Sequence, residues 1–298
     1  MIEKEVTITG SFKASALVCE FFGSCMISYC AGMALVNAPN VASIRSASPH
    51  IAHGFATGLV YMFGKEISGA YFNPAVTLAM VLNNAISWLT FFLYFGVQVA
   101  GSIFGALVMF WLRASSSKKY NMSDSVPTPN TDYKFLQVWG IETTVSFLVV
   151  LTYLVLSSFP KDKTPVAAAG IAIAVMISSS ATVYGTGAGV NPVRVIGVSL
   201  VFNEFTQRYA WLYYLGPLLG SILAVLFVRY GIQDNSLVKE LFSDTWDKLN
   251  FGKYLIGSDQ PDPEREKEAK KPLEVKKQDD APFQVKVTDT DIATPLQD

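Results

Sequence analysis

The sequence predicts an all-α membrane protein: a bundle of six spanning helices and two half-length ones, built as an inverted repeat. Three observations predict it. Of the 298 residues, 51% are hydrophobic and only 16% charged, against about 25% charged in an ordinary soluble domain. Long stretches carry no charge at all. Two Asn-Pro dipeptides, Asn73-Pro74 and Asn191-Pro192, lie 118 residues apart, each inside an apolar run and each after a Gly-rich approach.

A hydrocarbon core of ~30 Å needs about 20 apolar residues as helix. The first such run is Ala14–Asn37, with Glu20 its one charge. Ile51–Phe63 is short alone and spans only if Ser48, Pro49 and His50 lengthen its start; His50 is otherwise read as a loop residue. Ile67–Leu82 is half-length and broken at Asn73-Pro74. Trp88–Leu112 has no charge, and Phe135–Phe159 has only Glu142. Pro165–Tyr184 is rich in Ala and Ser, Val190–Phe202 is half-length and broken at Asn191-Pro192, and Tyr209–Val228 is uncharged. Asn-Pro is also a common turn signal, and Asn37-Ala-Pro39 and Pro129-Asn130 are read as no more than turns. Two such dipeptides inside apolar runs fit that reading badly.

The polar segments are equally distinct. Residues 1–13 form a polar tail without the short apolar core of a cleavable signal peptide. Arg113–Lys134 is a long connection holding the sequon Asn121-Met122-Ser123, a candidate glycosylation site. Within residues 232–257, Leu237, Val238, Leu241, Phe242, Trp246 and Leu249 recur at helical spacing, as in an amphipathic surface helix. Residues 258–298 carry 18 charges in 41 positions and are expected to stay disordered.

Several functions are excluded. Twenty-four acidic and 23 basic residues nearly cancel, so no nucleic-acid partner is expected. Cys19, Cys25 and Cys30 share one apolar run, in neither a zinc-ligand spacing nor a disulfide framework. No metal, no cofactor and no enzyme constellation is expected.

Three spans per half is an odd number, so the halves must be inverted across the membrane. Glu20 and Glu142, 122 residues apart, then occupy matching places, and the two Asn-Pro half-helices enter from opposite faces. Proline at the first helical position loses only an unpaired N–H, and the Asn before it is a good cap. Its carbonyl oxygen takes a backbone N–H, leaving the amide NH₂ to donate into a cavity. Each half-helix also directs its positive dipole end there. A water between two such donors must offer both its oxygen, so its hydrogens point outward along the pore. That arrangement breaks a proton wire and repels cations, while small neutral solutes pass.

The loops SGAYFNPAVT and GTGAGVNPVR resemble the paired signature motifs of the aquaporins, or major intrinsic proteins. Gln98-Val-Ala-Gly101 and Tyr213-Tyr-Leu-Gly-Pro217 agree, and the likeness runs from about Ala14 to Tyr230. The resemblance implies an aquaporin-like right-handed bundle over residues 14–231, with repeats of about 14–112 and 135–231. It implies a passive water channel in the lipid bilayer, passing water and small neutral solutes, assembled as a homotetramer with a pore in each subunit. Both termini would be cytoplasmic, in the plasma membrane or an intracellular vacuole or vesicle membrane; the loop charges alone barely set the orientation. The signature residues would be Asn73, Pro74 and Ala75 with Asn191, Pro192 and Val193, the last departing from the usual Ala. Glu20 and Glu142 would brace the signature loops by accepting backbone hydrogen bonds.

The family's outer filter would map to His53, Ser179, Ala188 and Arg194, with Ile177 or Met176 as alternatives to Ser179. Arg194 would supply a fixed cation with fork donors. Protonation of His53 at mildly acidic pH would add a second cation and reduce conduction, an effect Arg194 opposes. This set resembles the plant tonoplast type, whose members pass water with ammonia, urea or hydrogen peroxide. Val195, Ser199 and the Tyr213-Tyr214 pair resemble the water branch rather than the glycerol branch. Ala188 stands where Cys is frequent, so mercury is not expected to block there. Two other functions stay open: a junction or scaffold protein with a closed or gated pore, and a coupled secondary transporter, against which stands the scarcity of ionisable groups in the spans.

Overall fold

The uncharged runs become helices because a backbone without water must satisfy its hydrogen bonds internally. The computed structural model describes residues 14–37, 48–112, 125–203 and 209–233. In chain order the helices are α1 (Ala14–Asn37), α2 (Ser48–Ser68), α3 (Pro74–Leu82), α4 (Trp88–Leu112), α5 (Phe135–Leu156), α6 (Thr164–Thr186), α7 (Pro192–Val201) and α8 (Leu212–Leu226). A 3₁₀ turn, Lys161–Lys163, leads into α6, and a π-helical turn, Phe227–Gln233, extends α8. No strand occurs among the described residues. The Asn121 sequon, the first 13 residues, the Ser236–Asn250 segment and the charged tail lie outside them.

Five spans are long and apolar enough to cross a membrane: α1, α4, α5, α6, and α8 together with the π-helical turn that extends it. The sixth, α2, has 21 residues but carries His50, His53, Lys65 and Glu66. It extends beyond the apolar run Ile51–Phe63 at both ends, taking in Ile67, and His50 is a buried residue of its first turn rather than of a loop. Helix α5 stops at Leu156, short of Phe159, because Pro160 disfavours helix in the residue before it. The last helix starts at Leu212 rather than Tyr209, whose φ of 64° is left-handed.

Packing follows small residues, as expected where lipid supplies no hydrophobic drive between helices. A Cβ on Gly101 would stand 2.1 Å from the Phe21 carbonyl oxygen, and one on Gly105 would stand 2.3 Å from that of Cys25, so α4 touches the α1 backbone. In the second half, Gly220 of α8 meets the Thr143 carbonyl of α5 in the same way, at 2.5 Å. The crossing of α2 and α6 joins the halves. Gly54 abuts Met176 and Ala172, and Gly58 abuts Ala172 and Ala168. A shift of 118 residues carries the Gly54–Met176 contact onto the Gly58–Ala172 contact, as a two-fold repeat requires.

The half-helices α3 and α7 lie in the middle of this frame, with Ala75, Val76 and Ala79 of α3 and Val198 of α7 wholly buried. Ser221 of α8 donates to the Ala75 carbonyl at 2.6 Å, and Arg229 donates to that of Leu82, at the other end of α3. Outside, Val18, Phe63, Trp111 and Leu136 are exposed large apolar residues, a surface suited to hydrocarbon rather than water.

Candidate functional site

The site is built on two short loops that must turn the chain from a long helix into a half-helix. Residues 69–72 connect α2 to α3, and residues 187–190 connect α6 to α7. Both use the same left-handed positions: φ is 89° at Gly69, 57° at Ala70 and 52° at Phe72, then 75° at Gly187, 60° at Ala188 and 57° at Val190. Glycine adopts this region freely, but Phe and the β-branched Val do so only under constraint from their surroundings.

That constraint comes from two carboxylates. Glu20 accepts the N–H groups of Tyr71 at 3.0 Å and Phe72 at 2.8 Å, and the Ser68 hydroxyl at 2.6 Å. Glu142 accepts those of Gly189 at 3.2 Å and Val190 at 3.0 Å, and the Thr186 hydroxyl at 2.5 Å. Both carboxylates are fully buried. A second tie is repeated too: the Tyr94 hydroxyl donates to the Ser68 carbonyl at 3.0 Å, and the Tyr213 hydroxyl donates to that of Thr186. One tie is unmatched. Gln98 donates to Glu20 at 2.7 Å and to the Thr77 hydroxyl oxygen at 3.1 Å, whereas the corresponding stretch of α8 holds Gly216 against Glu142.

The loops deliver Asn73 and Asn191 as N-caps, with proline at the first helical position of each half-helix. Asn73 Oδ1 accepts from Ala75 N at 2.9 Å, and Asn191 Oδ1 from Val193 N at 3.2 Å. The amides also cross over. Asn191 Nδ2 donates to the Phe72 carbonyl at 2.9 Å, and Asn73 Nδ2 to that of Val190 at 3.3 Å. Each amide thus gives one N–H to the opposite loop and keeps one. Sequence reasoning leaves the whole NH₂ free; the reciprocal bond is what locks the two half-helices end to end.

Arg194 is 1% exposed. Its Nη2 donates to the carbonyls of Ala188 and Gly189, while Nε and Nη1 have no protein partner. His53 is also buried, and its Nδ1 lies 3.0 Å from the Ser179 hydroxyl. Of the three residues weighed for that place on α6, Ser179 is the one hydrogen-bonded to His53, while Met176 packs against Gly54 and Ile177 is 54% exposed. A narrow cavity reaches His53, Thr57, Asn73 and Asn191 and is otherwise walled by tyrosine and apolar side chains, among them Tyr71, Tyr153, Ile27 and Val175. Among the described residues no three His, Cys, Asp or Glu stand close enough to hold a metal ion.

Sequence reasoning missed the hydroxyl and phenol ties. The signal was available, because Ser68 and Thr186 each stand five residues before their asparagine, and Tyr94 and Tyr213 are 119 apart.

Comparison with known proteins agrees with this geometry. The profile of the family described as "Major intrinsic protein" matches residues 7–228. Mouse (Mus musculus) Aquaporin-5 is 31% identical over 245 residues, covering 79% of this chain and 87% of its own. "Probable aquaporin TIP2-2" of Arabidopsis thaliana is 31% identical over 180 residues, covering 59% of this chain and 68% of its own. The solved structure of the aquaglyceroporin from Plasmodium falciparum superposes with a TM-score of 0.67 at 17% identity, over 76% of this chain and 98% of that one. At that identity the likeness shows the fold alone.

Proposed function

The chain belongs to the major intrinsic protein family, a family of membrane channels and not of enzymes, and from that premise we propose that it is a passive water channel with the pore running past Asn73 and Asn191. The observation that carries the reading is the reciprocal bonding of the two asparagines, which sets two half-helix N-termini and two spare amide N–H groups at one point. A water there accepts from both amides and cannot pass a proton onward.

In this reading His53, Ser179, Ala188 and Arg194 form the filter, and the spare Nε and Nη1 of Arg194 hydrogen-bond passing water and repel cations. Water is the principal solute, with ammonia and hydrogen peroxide as further candidates. Val193, buried at the second position of α7, adjusts packing without closing the pore. The channel unit is residues 14–231, working as a homotetramer in the plasma membrane or an internal vacuole or vesicle membrane, with both termini cytoplasmic.

The test is stopped-flow shrinkage of proteoliposomes holding the full chain. Water flux well above protein-free vesicles, linear in the gradient, is expected, and Arg194→Val is expected to add a proton leak. Flux that saturates and depends on a coupling ion would instead favour a transporter. No flux above empty vesicles would favour a junction or scaffold role.

A further inference from the structure

The two ends of this pore are not equal, and the repeat makes the inequality measurable. The shift of 118 residues that carries Asn73 onto Asn191 also carries His53 onto Ile171, Tyr61 onto Ser179 and Tyr71 onto Gly189. The shift of 122 that carries Glu20 onto Glu142 carries Ile27 onto Val149 and Ala31 onto Tyr153. The first shift holds in the packing, through the reciprocal contacts of Gly54 and Gly58 with α6 and through the matched left-handed loop positions. In an inverted repeat the two-fold axis passes between the asparagines, so paired positions lie equally far from them on opposite sides.

On the Arg194 side the paired positions hold small side chains: Ser179, Gly189 and Ala31. On the other side the same three positions hold Tyr61, Tyr71 and Tyr153. Tyr61 and Tyr153 are 0% and 2% exposed and meet edge to face, with centroids 5.7 Å apart and planes at 81°. That geometry is a favoured aromatic arrangement and fixes both rings. Tyr71 and Tyr153 both line the cavity that reaches the two asparagines. The Tyr61 hydroxyl is buried with no protein partner, which leaves it to bond to a water in single file.

Resting on the channel reading above, we infer that Tyr61, Tyr71 and Tyr153 form a second constriction, across the asparagine pair from Arg194, and that this tyrosine ring sets the largest solute the pore admits. Rings fixed by packing present a rigid aperture. The hydroxyls replace hydrogen bonds for a passing water but leave no room for a planar amide such as urea or for a three-carbon polyol. The filter at His53 and Arg194, with small neighbours, sorts by charge. The tyrosine ring sorts by size.

The experiment measures water and urea permeability of full-chain proteoliposomes for wild type, His53→Ala, Tyr153→Val and Tyr61→Leu. Valine matches Val149 one turn earlier in α5, so Tyr153→Val keeps an apolar wall. It is expected to raise urea permeability about tenfold over wild type, and by more than His53→Ala does. Tyr61→Leu, on the facing helix, is expected to do the same, so a folding failure of one variant leaves the other as the test. Water flux in wild type with urea permeability of the folded tyrosine variants raised less than about threefold would overturn the inference and leave the channel reading standing. A larger gain in His53→Ala than in either tyrosine variant would move the size limit to the filter and overturn it too. Absence of water flux in every protein would overturn the channel reading, and the tyrosine ring with it.

Discussion

Replacing Glu142 by alanine leaves the buried N–H groups of Gly189 and Val190 without their acceptor, at about 1–3 kcal/mol each. Val190, left-handed and β-branched, would then lose the acceptor of its N–H and keep the Asn73 bond to its carbonyl. Glu142→Ala is therefore expected to lower stability by roughly 2–6 kcal/mol, read as a large fall in melting temperature in detergent. Glu142→Gln, which keeps one acceptor oxygen but turns a donor toward the other N–H, should fall between. An alanine variant that melts with wild type would show that the loop holds itself. The two glutamates were legible in the sequence, because a carboxylate inside an apolar span must find donors. Ser68 and Thr186 are easily passed over, because Ser and Thr in a helix ordinarily bond back to their own backbone. What marks the ones that reach a carboxylate is their matching place in the two halves, five residues before each asparagine.

At the scale of the helices, glycine separates what packs from what merely spans. Gly96 and Gly105 both belong to α4, but a Cβ on Gly96 would meet nothing within 4 Å, whereas one on Gly105 would meet the Cys25 carbonyl oxygen at 2.3 Å. Gly105→Leu must push α1 and α4 apart, a strain of at least about 1–3 kcal/mol. It is expected to lower the melting temperature or abolish the monodisperse peak on gel filtration, while Gly96→Leu should stay close to wild type. Equal behaviour of the two would mean that α1 and α4 do not approach this closely. Length and hydropathy placed the uncharged helices, but α2 was read short, because the residues that extend it are polar. His50 is buried near the site, and Lys65 donates to the Phe159 carbonyl at 2.6 Å. The Lys65 ammonium is satisfied by a tertiary partner, which a hydropathy window does not see. The sequence leaves Ser179, Ile177 and Met176 as alternatives, since a one-residue rotation of a helix changes which side chain faces inward; in the structure it is Ser179 that hydrogen-bonds His53.

At the scale of the whole molecule, the repeat was legible because Asn-Pro inside an apolar run is rare enough to count. The inequality of its two ends takes more, since the sequence offsets pair the positions but only the packing shows which of the tyrosines meet. What the composition does divide is membrane unit from tail. The chain separates into Met1–Gly257 and Ser258–Asp298, and every buried residue of the described fold falls before Gly231. The hydrogen bonds that form the site run from Glu20 to Tyr213, wholly among those residues. Residues 258–298, with 18 charges in 41 positions, have too little apolar surface to add to a core. A chain ending at Gly257 is therefore expected to keep the wild-type melting temperature and the wild-type water permeability in proteoliposomes. The two readouts separate the ways this expectation can fail. A lower melting temperature at unchanged flux would mean that the tail packs on the bundle. Higher flux at an unchanged melting temperature would make the tail a gate, acting on a bundle whose paired asparagines and bracing carboxylates are held without it.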